Sequence, residues 1–210
     1  MKKWMVLILL SFILFGCTQA EEAEEQETDV SDEPPVTIKN INPEVEGIVA
    51  QVDGHEILGK NIQYEMKRLE LISVLQGDEN EEEASSPNVA LQEIIRNHMI
   101  HKIARDENIT VDESEQQKRV EDVRQGVESN DGYARVMKGI DEEQFWSREE
   151  ERYEQIVEAE KLIVKLMENV KKEHPNYDEK ALRFDAQEDL DELIQQEVVD
   201  ATIEIYEEEG

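Results

Sequence analysis

One cysteine and very few aromatic residues, about 5% of 210 positions, set the first limits on this chain. With Cys17 alone, no intramolecular disulfide can form. Scarce aromatics beside recurrent Leu, Ile, Val and Met, set among Glu, Lys, Arg and Gln, describe long amphipathic helices rather than a sandwich or barrel. Positive charge is also in short supply: 22 Lys and Arg face 53 Asp and Glu, a net charge of −31. No basic stripe is available to neutralise phosphates, which excludes nucleic acid as a partner. An anionic membrane surface would repel such a chain. The usual chemical signatures are missing as well. There is no Gly-x-Ser-x-Gly elbow, no HExxH pair, no Gly-rich phosphate loop and no EF-hand loop. The acidity reads as a solvated surface that keeps the chain soluble.

What is present begins at the N-terminus. Lys2 and Lys3 precede an apolar run over residues 4–15, the layout of a secretory signal and too short to span a bilayer as a helix. Leu14-Phe15-Gly16-Cys17 resembles the lipobox of bacterial lipoproteins. The resemblance implies cleavage behind Gly16, residues 1–16 as signal peptide, and lipidation of Cys17 by palmitate-type chains. The protein is then expected on the extracytoplasmic face of the cell membrane, held by lipid. Phe15 departs from the pattern, where a small residue is usual. A cleaved signal with a leftover cysteine, or an uncleaved anchor, are the alternatives. Removing residues 1–16 takes away two lysines, leaving 20 basic against 53 acidic residues and a charge of −33.

Residues 17–45 read as an acidic tether. Glu21-Glu22-Ala23-Glu24-Glu25-Gln26-Glu27 has almost nothing to bury, and Pro34, Pro35 and Pro43 stiffen its end. A folded domain is expected over 46–210. It opens with Asp53-Gly54 between two apolar runs, the signal for a hairpin with a two-residue type I′ turn. In that register Ile48, Ala50, Val52, His55 and Ile57 share a face.

Helical spacing follows. Residues 60–76 form one helix, residues 77–86 an acidic loop, and Ser86-Pro87 an N-cap with proline in the first turn. The next helix, to about residue 107, is apolar around most of its girth and is expected at the centre. Asp112 with Glu115, and Asp141 with Gln144, fit reciprocal capping boxes. Gly126, Asn130-Asp131-Gly132 and Gly139 are expected to break the helix between them. The longest pattern covers 141–172, with a seam of Ile156, Ala159, Ile163, Leu166 and Val170 that a bundle partner or a bound chain would cover. A last helix over 178–197 carries Phe184, Leu190, Leu193 and Ile194. Residues 201–206 alternate like a strand and are expected to pair with the hairpin. The fold class is mainly α, with a small sheet made from the two ends of the domain.

The hairpin "VAQVDGHEI", the helix "LQEIIRNHMIHKIARDENITVDESE", the "GIDEEQFWSREE" helix start and the terminal "DATIEIYEEE" are similar to the N-terminal chaperone region of SurA-type periplasmic chaperones and PrsA-type foldases. The resemblance covers roughly residues 46–208. Ile109-Thr110-Val111 stands at the family's short connection before the next helix. Many relatives insert a parvulin-type prolyl isomerase domain between the long helix and the final helix and strand. Here only about residues 173–180 lie there, too few for that domain.

The resemblance therefore implies an ATP-independent, membrane-anchored chaperone for exported unfolded polypeptides, with no catalytic residues, metal or cofactor of its own. Phe145, Trp146 and Met167 are the candidate contacts for such a polypeptide. Adjacent aromatics cannot both face one stripe, which leaves one of Phe145 and Trp146 free to grip a client; packing in the core, against Tyr153 or a neighbouring helix, is the favoured reading. Met66, Met99 and Met137 are open to the same two readings. His98 and His101 are three apart on one helix, a spacing that suits two metal ligands, but read as boundary histidines. Two other functions stay open: a scaffold lipoprotein that forms a homodimer through its long helix, and an isomerase-family member with residual activity.

Overall fold

The computed structural model of the protein describes residues 41–77 and 81–206, which fall in a unit beginning at Ile38. The cleavage site at Gly16, the lipidation site Cys17 and all but the end of the tether lie outside the described residues. The chain runs β1 (Ile48–Val52), β2 (His55–Leu58), α1 (Gly59–Gln76), α2 (Glu81–Ala84), α3 (Pro87–Asp106), α4 (Glu113–Val127), α5 (Asp131–Val136), α6 (Glu142–Glu173), α7 (Glu179–Asp200) and β3 (Ile203–Ile205). It is mainly α with one small antiparallel sheet in the order β2-β1-β3.

Asp53 and Gly54 take φ of 49° and 81°, the two left-handed residues of a type I′ turn. Val52 pairs with His55, Gln51 with Glu56 and Ala50 with Ile57, but the register slips between Ile48 and Ala50. That irregularity corrects the expected face. Val49 turns inward at 3% exposure, and Ile48 is left 38% exposed. His55 stays at the rim, exposed, with its ring stacked on His98 of α3 at 5.2 Å between centroids. The same turn grips the other end of the domain. Asp53 N donates to Thr202 O at 3.0 Å, and Asp53 Oδ1 accepts from Thr202 N at 2.9 Å. β3 therefore pairs with β1, as the alternation of residues 201–206 predicts.

Packing starts before residue 46. Gln63 Nε2 donates to Pro43 O at 2.8 Å, and Gly59 N donates to Gly47 O at 3.1 Å. The strap is so close to α1 that a Cβ at Gly59 would sit 1.9 Å from Val45 O. Only glycine fits this approach.

Ser86 Oγ accepts from Val89 N, and Pro87 opens α3. Ala90, Leu91, Met99 and Ala104 are fully buried there, and α3 packs against α1, α6 and α7, which makes it the central helix. Leu91 and Met99 each contribute about 1.5–3 kcal/mol by leaving water. The expected acidic loop contains one short helix, α2. Gly126 does not break α4, which runs one residue past it. The chain turns instead at residues 128–130, where Asn130 Oδ1 accepts from Gly132 N at 2.7 Å.

Asp112 caps α4 through Ser114 N at 2.9 Å, while Glu115 reaches Lys161 at 2.9 Å instead of returning to the cap, so that box is not reciprocal. Asp141 accepts from Gln144 N at 3.1 Å and starts α6. The α6 stripe is buried within the bundle by α3, α4 and α7. Its centre lies at Val157, Leu162 and Ile163, with Ile156, Ala159 and Leu166 at the half-buried margin. Residues 174–178 connect α6 to α7, whose buried line is Leu182, Ala186, Leu190 and Ile194. Phe184, expected on that line, is 56% exposed, because the buried residues recur every fourth position and Phe184 falls between them.

Candidate functional site

Phe145 and Trp146 are both 4% exposed, so both pack in the core and neither offers a surface contact to a polypeptide. The reason is local. The first turn of α6 is packed on more than one side, in a cluster with Leu71 of α1, Val120 of α4, and Tyr133 and Val136 of α5. Phe145 meets Trp146 edge to face at 5.5 Å and Tyr64 at 5.6 Å. Trp146 Nε1 donates to Tyr133 Oη at 3.0 Å, and Tyr133 donates to Glu142 Oε2 at 2.9 Å, so the indole is satisfied inside. Met167 is half-buried and lies roughly 30 Å further along α6. The three expected contacts form no common surface. Met99 and Met137 are core, and Met66 is half-buried.

Next to the aromatic cluster lies a feature that helical spacing alone does not announce, a set of charges buried between α1, α3 and α6. Glu65 and Glu149 are 3% and 5% exposed. Tyr64 Oη donates to Glu149 Oε1 at 2.5 Å, and Arg68 Nη1 donates to Glu65 Oε1 at 3.4 Å. Arg68 Nε lies 3.2 Å from Glu149 Oε1, near enough to pair charge, but its N–H is not aimed at that oxygen. Arg152 faces Glu93 at 3.7 Å and Gln155 at 3.5 Å, leaving its own Nε without a hydrogen-bond partner.

Burial raises the Glu65 carboxyl above its usual range, against the pull of Arg68 and Arg152. Burial alone would lower the Arg68 guanidinium, but Glu149 and Glu65 outweigh it and hold it higher. Arg152 is lowered, first by burial and then by the positive charge of Arg68. Burial and then Glu149 push the Tyr153 hydroxyl up to about 12 and raise Tyr64 as well.

Perturbed groups of this kind mark reactive sites where a substrate can reach them. Among the described residues, one open surface cleft of about 530 Å³ lies elsewhere, lined by Glu128, Tyr133, Met137, Ile140 and Glu142 among others. The buried charges instead fix which faces of α1 and α6 meet, since any slip would strand an ion in the core. Their only trace in the sequence is position: Glu149 precedes Tyr153 and Val157 at four-residue steps, and Glu65 follows Ile62 by three.

The two histidines of α3 part company. His101 Nδ1 is 3.0 Å from both oxygens of Glu158, which is 3% exposed and raised by burial despite that bond. Burial and then His55 lower His98. Among the described residues no three His, Cys, Asp or Glu side chains gather to hold a metal ion.

Apolar side chains do reach the surface. Phe184 (56% exposed), Val164 (54%) and Val199 (74%) lie on α6 and α7, and Tyr206 follows β3. No described helix is long and apolar enough to cross a membrane. No family model matches the chain, and no curated protein or solved structure matches it.

Proposed function

We propose that the protein is a lipid-anchored, extracytoplasmic chaperone that holds exported, unfolded polypeptides without ATP and without an isomerase domain of its own. The observation that supports this reading is the pairing of β3 with β1. It closes a helical body between the two ends of the domain, the chain order that the SurA- and PrsA-type resemblance implies. Residues 174–178, where relatives of that type carry their isomerase, form a simple turn between two helices. Binding falls to the apolar side chains at the surface, Phe184, Val164 and Val199, rather than to the buried Phe145 and Trp146. Weak, scattered contacts let a bound chain leave and fold. The surrounding acidity keeps the loaded protein soluble and favours basic polypeptides. Cys17 would tether this activity at the membrane, where exported chains emerge.

The test is aggregation of an unfolded exported protein mixed with increasing amounts of residues 18–210, without ATP. Suppression near stoichiometric amounts supports the reading, and unchanged light scattering at excess sinks it. The scaffold alternative needs an open seam along α6, which α3, α4 and α7 cover within the bundle.

A further inference from the structure

β3 is an edge strand, and its hydrogen bonds show which groups it keeps for itself. Thr202 O accepts from Asp53 N, Tyr206 N donates to Val49 O, and Glu204 pairs with Gln51. Residues 202, 204 and 206 are therefore turned toward β1. By the alternation of an antiparallel ladder, the N–H and C=O groups of Ile203 and Ile205 point the other way. Among the described residues no strand lies on that side. Ile203 and Ile205 are half-buried on the face shared with Val52 and Ala50, while Glu204 and Tyr206 are exposed on the other.

We propose that this outer edge of β3 takes an extended segment of an unfolded polypeptide as a fourth strand, selecting alternating apolar and basic residues. The proposal rests on the chaperone reading and supplies its mode of capture. Main-chain bonds to residues 203 and 205 would give sequence-tolerant affinity. A lysine or arginine opposite Glu204 meets the exposed carboxylate. Apolar neighbours extend the inner face beyond Ile203 and Ile205.

A second copy of the chain fits badly. Antiparallel β3–β3 pairing centred on residue 204 would set two Glu204 side chains opposite each other at the closer spacing, about 4.5 Å between Cα atoms. Two chains of charge −31 would add to that repulsion. An edge of three residues with a charge at its centre also resists indiscriminate stacking, and its brevity makes capture reversible.

The test uses residues 17–210 and a short capped peptide of alternating valine and lysine, with a valine–glutamate peptide as control. Amide exchange at Ile203 and Ile205 should slow about tenfold with the lysine peptide and not with the control. Ile205→Pro removes an N–H that the β1 ladder does not use, so it should weaken peptide binding at least about tenfold. Ile205→Ala should retain binding, and protected amides at Glu204 and Tyr206 would show that the sheet survives. Ile203→Pro repeats the test one pair away.

Unchanged exchange at both positions overturns the edge proposal. If the wild type and Ile205→Pro then still suppress aggregation equally, the chaperone reading stands without it. Edge binding without any suppression of aggregation keeps the strand site and removes the chaperone reading. Protection already present in the free chain, and lost when residues 17–40 are deleted, would assign the edge to the protein's own Val36-Thr37-Ile38-Lys39 and overturn the proposal. Doubled mass together with that protection would assign the edge to a second copy and overturn the proposal as well.

Discussion

Tyr64 on α1 donates a 2.5 Å hydrogen bond to Glu149 Oε1 on α6, inside a core where Arg68 is the nearby counter-charge. Removing the hydroxyl leaves a buried carboxylate short of a donor while keeping the ring that packs on Phe145. Tyr64→Phe should cost about 1–3 kcal/mol, read from urea unfolding with an unchanged slope. Tyr206→Phe is the control, because its bond to Glu204 is on the surface. It should change stability by under about 0.5 kcal/mol. Equal small losses in both variants would show that the buried bond contributes little.

One buried and one half-buried group give pH effects of opposite sign. Burial raises Glu65, so the folded state holds its proton more tightly than the unfolded chain does. Its contribution to stability therefore grows as pH falls from neutral and is complete below the ordinary glutamate value, about 4.3. Burial and His55 lower His98, so the unfolded chain takes up that proton first, and stability is lost as pH falls below about 6.5. Melting temperatures between pH 7 and about 5 should separate the two. The difference between Glu65→Gln and wild type should shift in favour of wild type as pH falls. The difference between His98→Asn and wild type should shift in favour of the variant. The same sign in both would refute the assignment of these shifts to burial.

The elements legible in the sequence were those fixed by local chemistry. Asp53-Gly54 dictates its turn through backbone φ alone, Ser86-Pro87 starts α3 by capping, and residues 201–206 alternate as a strand wherever their partner lies. The register slip at Val49 was not legible, because it depends on how the sheet sits on the helices. Nor was the burial of Glu65 and Glu149. In a chain with 53 acidic residues, a glutamate on an apolar stripe looks like another surface charge; Arg68 stands three residues from Glu65 on α1, but only folding brings Arg68 and Tyr64 to Glu149. Nor does the sequence show that Phe145 and Trp146 are both covered, for a related reason. A helix touched from one side has room for one of two adjacent aromatics, but the start of α6 is covered by α1, α4 and α5 together.

Burial separates two phenylalanines that the sequence treats alike. Phe145→Ala empties part of a filled core and should cost about 3–5 kcal/mol. Phe184→Ala touches an exposed ring and should leave stability within about 0.5 kcal/mol. On the chaperone reading, Phe184→Ala should nonetheless weaken suppression of aggregation, most clearly when combined with Val199→Ala. Full suppression by that double variant at unchanged stability would remove the outer face of α7 from the binding surface.

The junction between hairpin and terminal strand turns on Asp53, which does two things at once. Its backbone adopts φ of 49°, which aspartate and asparagine tolerate better than other non-glycine residues, and its Oδ1 accepts from Thr202 N. Asp53→Ala loses both and should cost about 1–3 kcal/mol. Asp53→Asn keeps an acceptor and the turn preference while discarding the charge. That charge faces Lys102 at 4.0 Å across partly exposed side chains, a pair worth under about 1 kcal/mol. Amide exchange should therefore accelerate at Thr202 and along β3 in Asp53→Ala and remain near wild type in Asp53→Asn. If the asparagine variant frees β3 as fully as alanine does, the ion pair with Lys102 holds the strand, and the geometry of the turn is secondary.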